Sequence, residues 1–289
     1  MPERVWWPAL GKDDRYRLYD RAQQPNAWLT AVYRPRIGLV TQLDDGAVPP
    51  AGPAVGEFTS SISSPSVIIE LLRHLAPGPG DRVLEVGTGT GYTTALLTHR
   101  TGPGTVVSVE IDPVIAERAA QRLRALPCDV QVMTGDGELG HPAGAPYDRI
   151  VATASVRRIP PAWIHQLRPG GVLVAPLDTP WGHDVLVHLT ADGTGHAEGH
   201  AVAPVTFMRV RGQRNLVPYT DLGWPEGAGA WDQVQVRVGP AGQRITVLAP
   251  PPSGPGPPRG PESGTRTTSH RTAGIGDWRG RGPGQGRPT

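Results

Sequence analysis

The 289-residue sequence predicts an α/β fold: a doubly wound, mostly parallel, seven-stranded sheet with an N-terminal accessory segment before it and a disordered tail after it. Three observations predict it. From Asp81 onward, short apolar runs alternate with segments of helical periodicity, and strand–helix–strand repeats build a parallel sheet covered on both faces. The first of these runs, "RVLEV", ends in the glycine-rich "GTGTG" just where a helical segment begins. Past Ala249 the composition turns abruptly to Pro, Gly, Arg, Ser and Thr, which cannot bury enough apolar surface to offset the entropy of ordering.

In chain order, residues 1 to about 45 are rich in aromatics and arginine, with weak helical periodicity from Arg15 to Val32, and read as a lid or accessory segment on the substrate side. "AVPPAGPAVG" follows as a loop, with adjacent prolines and no periodic face. The hydroxyl cluster "TSSISSPS" then leads into "VIIELLRHL", where Val67, Ile68, Leu71, Leu72 and Leu75 fall at helical spacing. Strands are expected at 82–86, 104–110, 130–135, 147–154, 170–177, 184–190 and 206–212, with helices at about 92–100, 113–125 and 160–167. The resulting division is 1–57 accessory, 58–212 catalytic domain, 213–249 C-terminal extension and 250–289 tail.

Charge excludes one function class. The tail alone carries six arginines against Glu262 and Asp277, an excess larger than the whole chain's +2, so the folded part is acidic overall and is no basic nucleic-acid binder. The one cysteine, Cys128, excludes an intramolecular disulfide and opens the alternating "CDVQVM" as a packed strand end. The N-terminus lacks the basic and apolar regions of a secretion signal, and no apolar run is long enough to span a bilayer, so the expectation is a soluble cytoplasmic protein. His99, His141, His165 and His183 lack metal-ligand spacing.

The chemistry concentrates at the strand ends. Gly87, Gly89 and Gly91 let the backbone turn sharply and approach a ligand, and the helix starting at Tyr92 or Thr93 offers free N–H groups. A dinucleotide fingerprint needs a small residue three positions after the second glycine, where Tyr92 stands, so this turn suits a nucleoside without a pyrophosphate. Glu110, ending the next strand, can accept hydrogen bonds from both hydroxyls of a ribose. Asp112 competes for that role, but with Pro113 behind it reads as a helix N-cap. Asp136, between Gly135 and Gly137 at the end of a third strand, is placed to accept from an exocyclic amine or, equally, to form a simple Asp-Gly turn. Together these describe a pocket for an adenosine-bearing ligand.

From about residue 58 to 177 the chain resembles protein-L-isoaspartate O-methyltransferases, carried by "DRVLEVGTGTGYTTALL", "VVSVEIDP", "TGDGELG", "APYDRIVATAS" and "LRPGGVLVAPL" in that family's order. The resemblance implies a Rossmann-like class I methyltransferase fold with S-adenosyl-L-methionine as cofactor. Its cofactor-binding roles carry over to Glu85, Gly87, Thr88, Gly89, Thr90, Gly91, Glu110, Ile111, Asp136 and Gly137. The family's Thr-Ile-Ser-x-Pro motif matches Ser61-Ile62-Ser63-Ser64-Pro65, which assigns Ser63 to the methyl-accepting carboxylate as the catalytic residue. A second capping hydroxyl is the structural alternative for Ser63. Ser64 and Pro65 are expected as N-cap and first helical residue, and Ser60 and Ser61 as loop.

"NAWLTAVYRPRIGLVTQLDDG" and "TSSISSPS" further resemble the isoaspartate-methyltransferase relatives that act beside ATP-grasp ligases on ribosomally made peptides. That implies an aspartate of a modified peptide as substrate, its ester closing to an aspartimide, and an ATP-grasp ligase system as partner. In those relatives a longer folded C-terminal region follows. The aromatics Trp6, Trp7, Trp28 and Tyr33 then either line a peptide groove or pack the segment. General isoaspartyl repair is the alternative, and a non-catalytic cofactor-binding module a third.

Overall fold

The computed structural model describes residues 1–126, 129–179, 183–214, 217–219, 221 and 234–247. Cys128 and the tail expected at 250–289 lie outside the described residues. Two sheets organise the chain. The smaller is antiparallel, in the order β2-β1-β3-β4, formed by β1 (Arg4–Leu10), β2 (Tyr16–Asp20), β3 (Leu39–Leu43) and β4 (Phe58–Ile62), with α1 (Pro25–Val32) packed beside it. The helical periodicity expected over Arg15 to Val32 is therefore realised only in its second half. Tyr16–Asp20 is a strand whose side chains alternate between the sheet and solvent-exposed arginine, as in Arg17 beside Tyr19.

The larger sheet holds the chemistry. It is built from β5 (Val83–Val86), β6 (Val106–Glu110), β7 (Gln131–Thr134), β8 (Tyr147–Ala152), β9 (Leu167–Leu177), β10 (Asp184–Ala191), β11 (Ala197–Val205), β12 (Val234–Gly239) and β13 (Gly242–Val247). Their order is β13-β12-β11-β10-β9-β8-β5-β6-β7; the five strands from β9 to β7 are mutually parallel, and β10 to β13 add on antiparallel. The α/β class holds, with nine strands where seven are expected. The strand expected at 206–212 is displaced to β11, and that segment instead bridges Ser155 through Arg209 and ends in a short turn at Arg211–Gln213. β12 and β13 come from the stretch read only as an extension.

All four residues of β5 are buried, as a strand covered on both faces requires. One face carries Leu84, Val86, Ile150, Leu173 and Val187 against Trp163 and Ile164 of α5 (Pro161–Gln166). The other carries Val83, Val106, Val151 and Leu186 against Leu71 and Leu75 of α2 (Pro65–Leu75) and Leu97 of α3 (Tyr92–Thr101). α4 (Pro113–Arg124) packs on β6 and β7. The chain departs from β5 toward one sheet edge through β6 and β7, and toward the other through β8 and β9. The switch point lies beyond the carboxyl ends of β5 and β8, where a ligand crevice forms. Among the described residues no helix is long and apolar enough to cross a membrane.

Candidate active site

The crevice is a cleft walled by the glycine turn after β5, the ends of β6 and β7, Thr153 and Ala154 after β8, the strand-to-helix passage Thr59–Ser63, and the segment Met208–Arg214. Of the residues predicted from sequence, Ser63, Gly87, Thr88, Gly89, Thr90, Glu110, Ile111, Asp136 and Gly137 line it together. Gly91 and Glu85 do not. Gly91 is the left-handed N-cap of α3, and a Cβ there would press on Leu123 of α4 at 3.3 Å.

Glu85 is fully buried beneath the turn. Its Oε2 accepts from the hydroxyls of Thr94 and Ser108, and Ser108 shares a 2.6 Å hydrogen bond with Thr88. Burial pushes its carboxyl up to about 7, against those two hydroxyls. It therefore joins α3, β6 and the glycine turn from below and does not line the cleft.

The turn has left-handed backbone at Gly87 (φ 96°) and Gly89 (φ 53°). A Cβ on Gly87 would sit 2.6 Å from Thr153 Oγ1, which donates to the Gly87 carbonyl. At Gly89 it would meet the Ser61 carbonyl at 3.6 Å, so the small sheet approaches the turn at this point. Only glycine combines that backbone with this closeness.

Glu110, 7% exposed, accepts from the Gly89 N–H through Oε2 at 2.9 Å and from the Asp112 N–H through Oε1 at 3.1 Å. Burial raises its pKa, opposed by those backbone donors. Asp112 caps α4, with Oδ1 accepting from the N–H groups of Val114 and Ile115. Burial pushes its carboxyl up, but these bonds, Gln42 and Arg211 more than offset that and hold it below the usual range. The two acids thus divide as their sequence contexts suggest.

Asp136 makes the tight turn, with Oδ1 accepting from the Glu138 N–H at 2.9 Å, and the residue is exposed on the cleft wall. Ser64 and Pro65 stand at the N-cap and first turn of α2 as expected, but the Ser64 side chain makes no capping hydrogen bond. Ser60 and Ser61, expected as loop, are in β4: Ser60 Oγ accepts from Thr41 at 3.0 Å, and both residues reach the cleft.

Sequence reasoning missed the wall made by Arg209, Arg211 and Arg214. Arg209 pairs with Asp178 at 3.1 Å, and Gln213 ties the segment to Glu138 at 2.7 Å. The signal was present as three arginines in "MRVRGQR", but an alternating strand accounted for them equally well.

A buried acceptor at one strand tip, a bare glycine cradle at the next and an exposed acid at the third fit the ribose, the amino-acid part and the base of S-adenosyl-L-methionine. The Glu110 carboxylate is held by the backbone donors of Gly89 and Asp112, with the carboxylate of Asp112 beside it. Hydroxyl donors therefore suit its remaining lone pairs.

Sheet order, switch point and cleft define a class I S-adenosylmethionine-dependent methyltransferase. The family model Protein-L-isoaspartate(D-aspartate) O-methyltransferase (PCMT) matches residues 52–215. A protein-L-isoaspartate O-methyltransferase of Ignicoccus hospitalis is 39% identical over 150 residues, covering 51% of this chain and 71% of that one. One from Anaeromyxobacter dehalogenans is 43% identical over 153 residues, covering 52% and 72%. A solved protein-L-isoaspartate O-methyltransferase superposes with a TM-score of 0.54 at 20% identity, over 68% of this chain and 84% of that structure, and so shares the fold. The chain belongs to the protein-L-isoaspartate O-methyltransferase family.

Proposed function

We propose that the protein transfers a methyl group from S-adenosyl-L-methionine to the free carboxylate of an isoaspartyl residue in a peptide or protein. The observation that carries the reading is the placing of Ser63 across one cleft from the Gly87–Gly89 turn and Glu110. When bound, the cofactor supplies a sulfonium methyl, so the sulfur–carbon electron pair stays on sulfur as the carboxylate oxygen forms the new bond.

The residues of the chain bind and align. Glu110 holds the sugar, the glycine turn the amino-acid part, and Asp136 the base side. Ser63 donates a hydrogen bond that orients the acceptor carboxylate. That carboxylate is ionised at neutral pH, so the transfer requires no general base. Opposite charges merge in the transition state, so alignment and exclusion of water supply the acceleration.

The names of the relatives favour isoaspartyl methylation as a repair chemistry over tailoring of an ATP-grasp-modified peptide. The tailoring reading rests on the resemblance of the N-terminal segment and "TSSISSPS", and nothing further supports an ATP-grasp partner.

The test uses the full chain, methyl-labelled S-adenosylmethionine, and a pair of hexapeptides differing only in isoaspartyl against aspartyl linkage. Base-labile methyl ester on the isoaspartyl peptide alone is expected. Esterification confined to an ATP-grasp-cyclised peptide would move the assignment to tailoring. Cofactor binding with no ester on any of the three would leave a binding module.

A further inference from the structure

The cleft wall contributed by residues 208–214 holds an ion-pair arrangement that methyl transfer does not use. Arg214 Nη1 approaches both carboxylate oxygens of Asp45, at 2.8 and 2.9 Å, and Arg211 Nη2 reaches Oδ1 of the same group at 2.9 Å. Two guanidiniums converging on one carboxylate is the geometry by which arginine selects an acidic group. Both arginines line the same cleft as Ser63.

Asp45 comes from the connection between β3 and β4, far from these arginines in sequence. Asp44 and Asp45 both have left-handed backbone, with φ of 46° and 49°, and Gly46 continues it at 93°. The bend is fixed by its surroundings: Asp44 Oδ1 accepts from the Glu57 N–H at 2.6 Å, and Thr59 Oγ1 accepts from the Asp45 N–H at 3.0 Å. Two successive non-glycine residues in that region are strained, and they persist because the turn is over-determined. The result is a carboxylate held against two arginines of the cleft wall.

The Asp45 side chain is 44% exposed, so it can rotate out of the clamp without disturbing the core. The segment that carries the arginines has further ties besides Asp45. Arg211 stays anchored by Asp112 Oδ2 at 3.6 Å, and Gln213, between the two arginines, is fixed to Glu138 and to the Arg158 carbonyl. Farther along the wall Asp178 is shared by Arg157 and Arg209, at 2.9 and 3.1 Å.

We propose that Arg211 and Arg214 form a carboxylate subsite for an acidic side chain that flanks the methylated residue of the peptide, and that Asp45 fills this subsite between substrates. The proposal rests on reading the cleft as a peptide carboxyl methyltransferase site. The exchange conserves charge, because one carboxylate leaves as another enters. Occupancy by Asp45 lowers the apparent affinity for acidic peptides by the fraction of time the clamp is filled. Asn tolerates left-handed backbone, so Asp45→Asn removes the competitor and keeps the turn.

The experiment measures binding of two isoaspartyl hexapeptides, one flanked by glutamates and one by glutamines, to the full chain saturated with S-adenosylhomocysteine. Wild-type protein is expected to favour the glutamate peptide by about two- to fivefold, the range of a solvent-exposed ion pair. Asp45→Asn should widen that ratio, and Arg214→Gln should bring it to about one.

A ratio that Asp45→Asn fails to raise, or binding of neither peptide by that variant, overturns the subsite, and Asp45→Asn decides alone if Arg214→Gln does not fold. Because the readout is a binding ratio, its failure is separable from that of the assigned reaction. With S-adenosylmethionine supplied in a parallel reaction, esters formed on both peptides with a flat binding ratio condemn the clamp alone, and a responsive ratio without esters condemns the reaction alone.

Discussion

Replacing Glu110 by glutamine keeps the shape of the side chain and removes one acceptor. In the folded protein both carboxylate oxygens already receive a backbone N–H, from Gly89 at 2.9 Å and from Asp112 at 3.1 Å. An amide has one oxygen and one NH2 group, so one of those N–H groups must then face another donor. A buried donor left unsatisfied costs about 1–3 kcal/mol, which falls on the glycine turn and on stability. The ribose separately loses a charged acceptor, worth about 1.5–3 kcal/mol. Affinity for S-adenosylhomocysteine should therefore fall by roughly ten- to a hundredfold. Calorimetric titration measures it, with thermal unfolding of the ligand-free variant run alongside to separate the two effects. A variant that melts like wild type and binds within twofold of it would show that Glu110 does not hold the sugar.

Two further substitutions probe other layers of the site. Ser63→Ala should lower kcat on an isoaspartyl peptide by about tenfold, the scale of one lost hydrogen bond in the transition state, while leaving S-adenosylhomocysteine affinity unchanged; an unaltered kcat would return Ser63 to the role of a helix-start hydroxyl. Glu85 sets a pH dependence. Its carboxyl, raised to about 7 in the fold from an ordinary 4.5, holds a proton that the unfolded chain has already lost, so its stabilising contribution is full below the ordinary range and fades as pH rises toward 7. The stability of wild type relative to Glu85→Gln should accordingly drop by roughly 3 kcal/mol between pH 4.5 and pH 7.5, as read by urea denaturation, and a pH-independent difference would contradict the buried neutral carboxyl.

What could be read from the sequence follows from how each element is covered. β5, β6 and β8 are buried on both faces, so their apolar runs stand out against the helices between them. β1 has no such contrast: it contains Pro8, buries Val5 and Trp6, and leaves Ala9 and Leu10 exposed, so neither a two-residue nor a helical period emerges. β11 hides for another reason. Its buried side chains include Ala197, Ala201 and Ala203, which weigh little in any hydropathy pattern, whereas the bulkier "TFMRVRG" just after it alternates like a strand and lies along the cleft instead. At the site, Pro113 was enough to separate Asp112 from Glu110. Nothing in "VLEV" distinguished an acid buried under the glycine turn from one that lines the cleft, and Glu85 is buried.

The two halves of the cleft differ in how the chain builds them. One half comes from successive strand tips, Gly87 to Gly137, with Glu110 bracing Gly89. The facing wall is assembled from two segments far apart in sequence, Thr59–Ser63 and Met208–Arg214, and the elements that carry them reach the strand tips through separate bonds: Gln42 donates to Asp112 at 3.0 Å and Gln213 to Glu138 at 2.7 Å. Because those bonds end beside Glu110 and not on it, a change at Arg211 or Arg214 should alter peptide binding and leave S-adenosylhomocysteine affinity within twofold of wild type, as calorimetric titration would read.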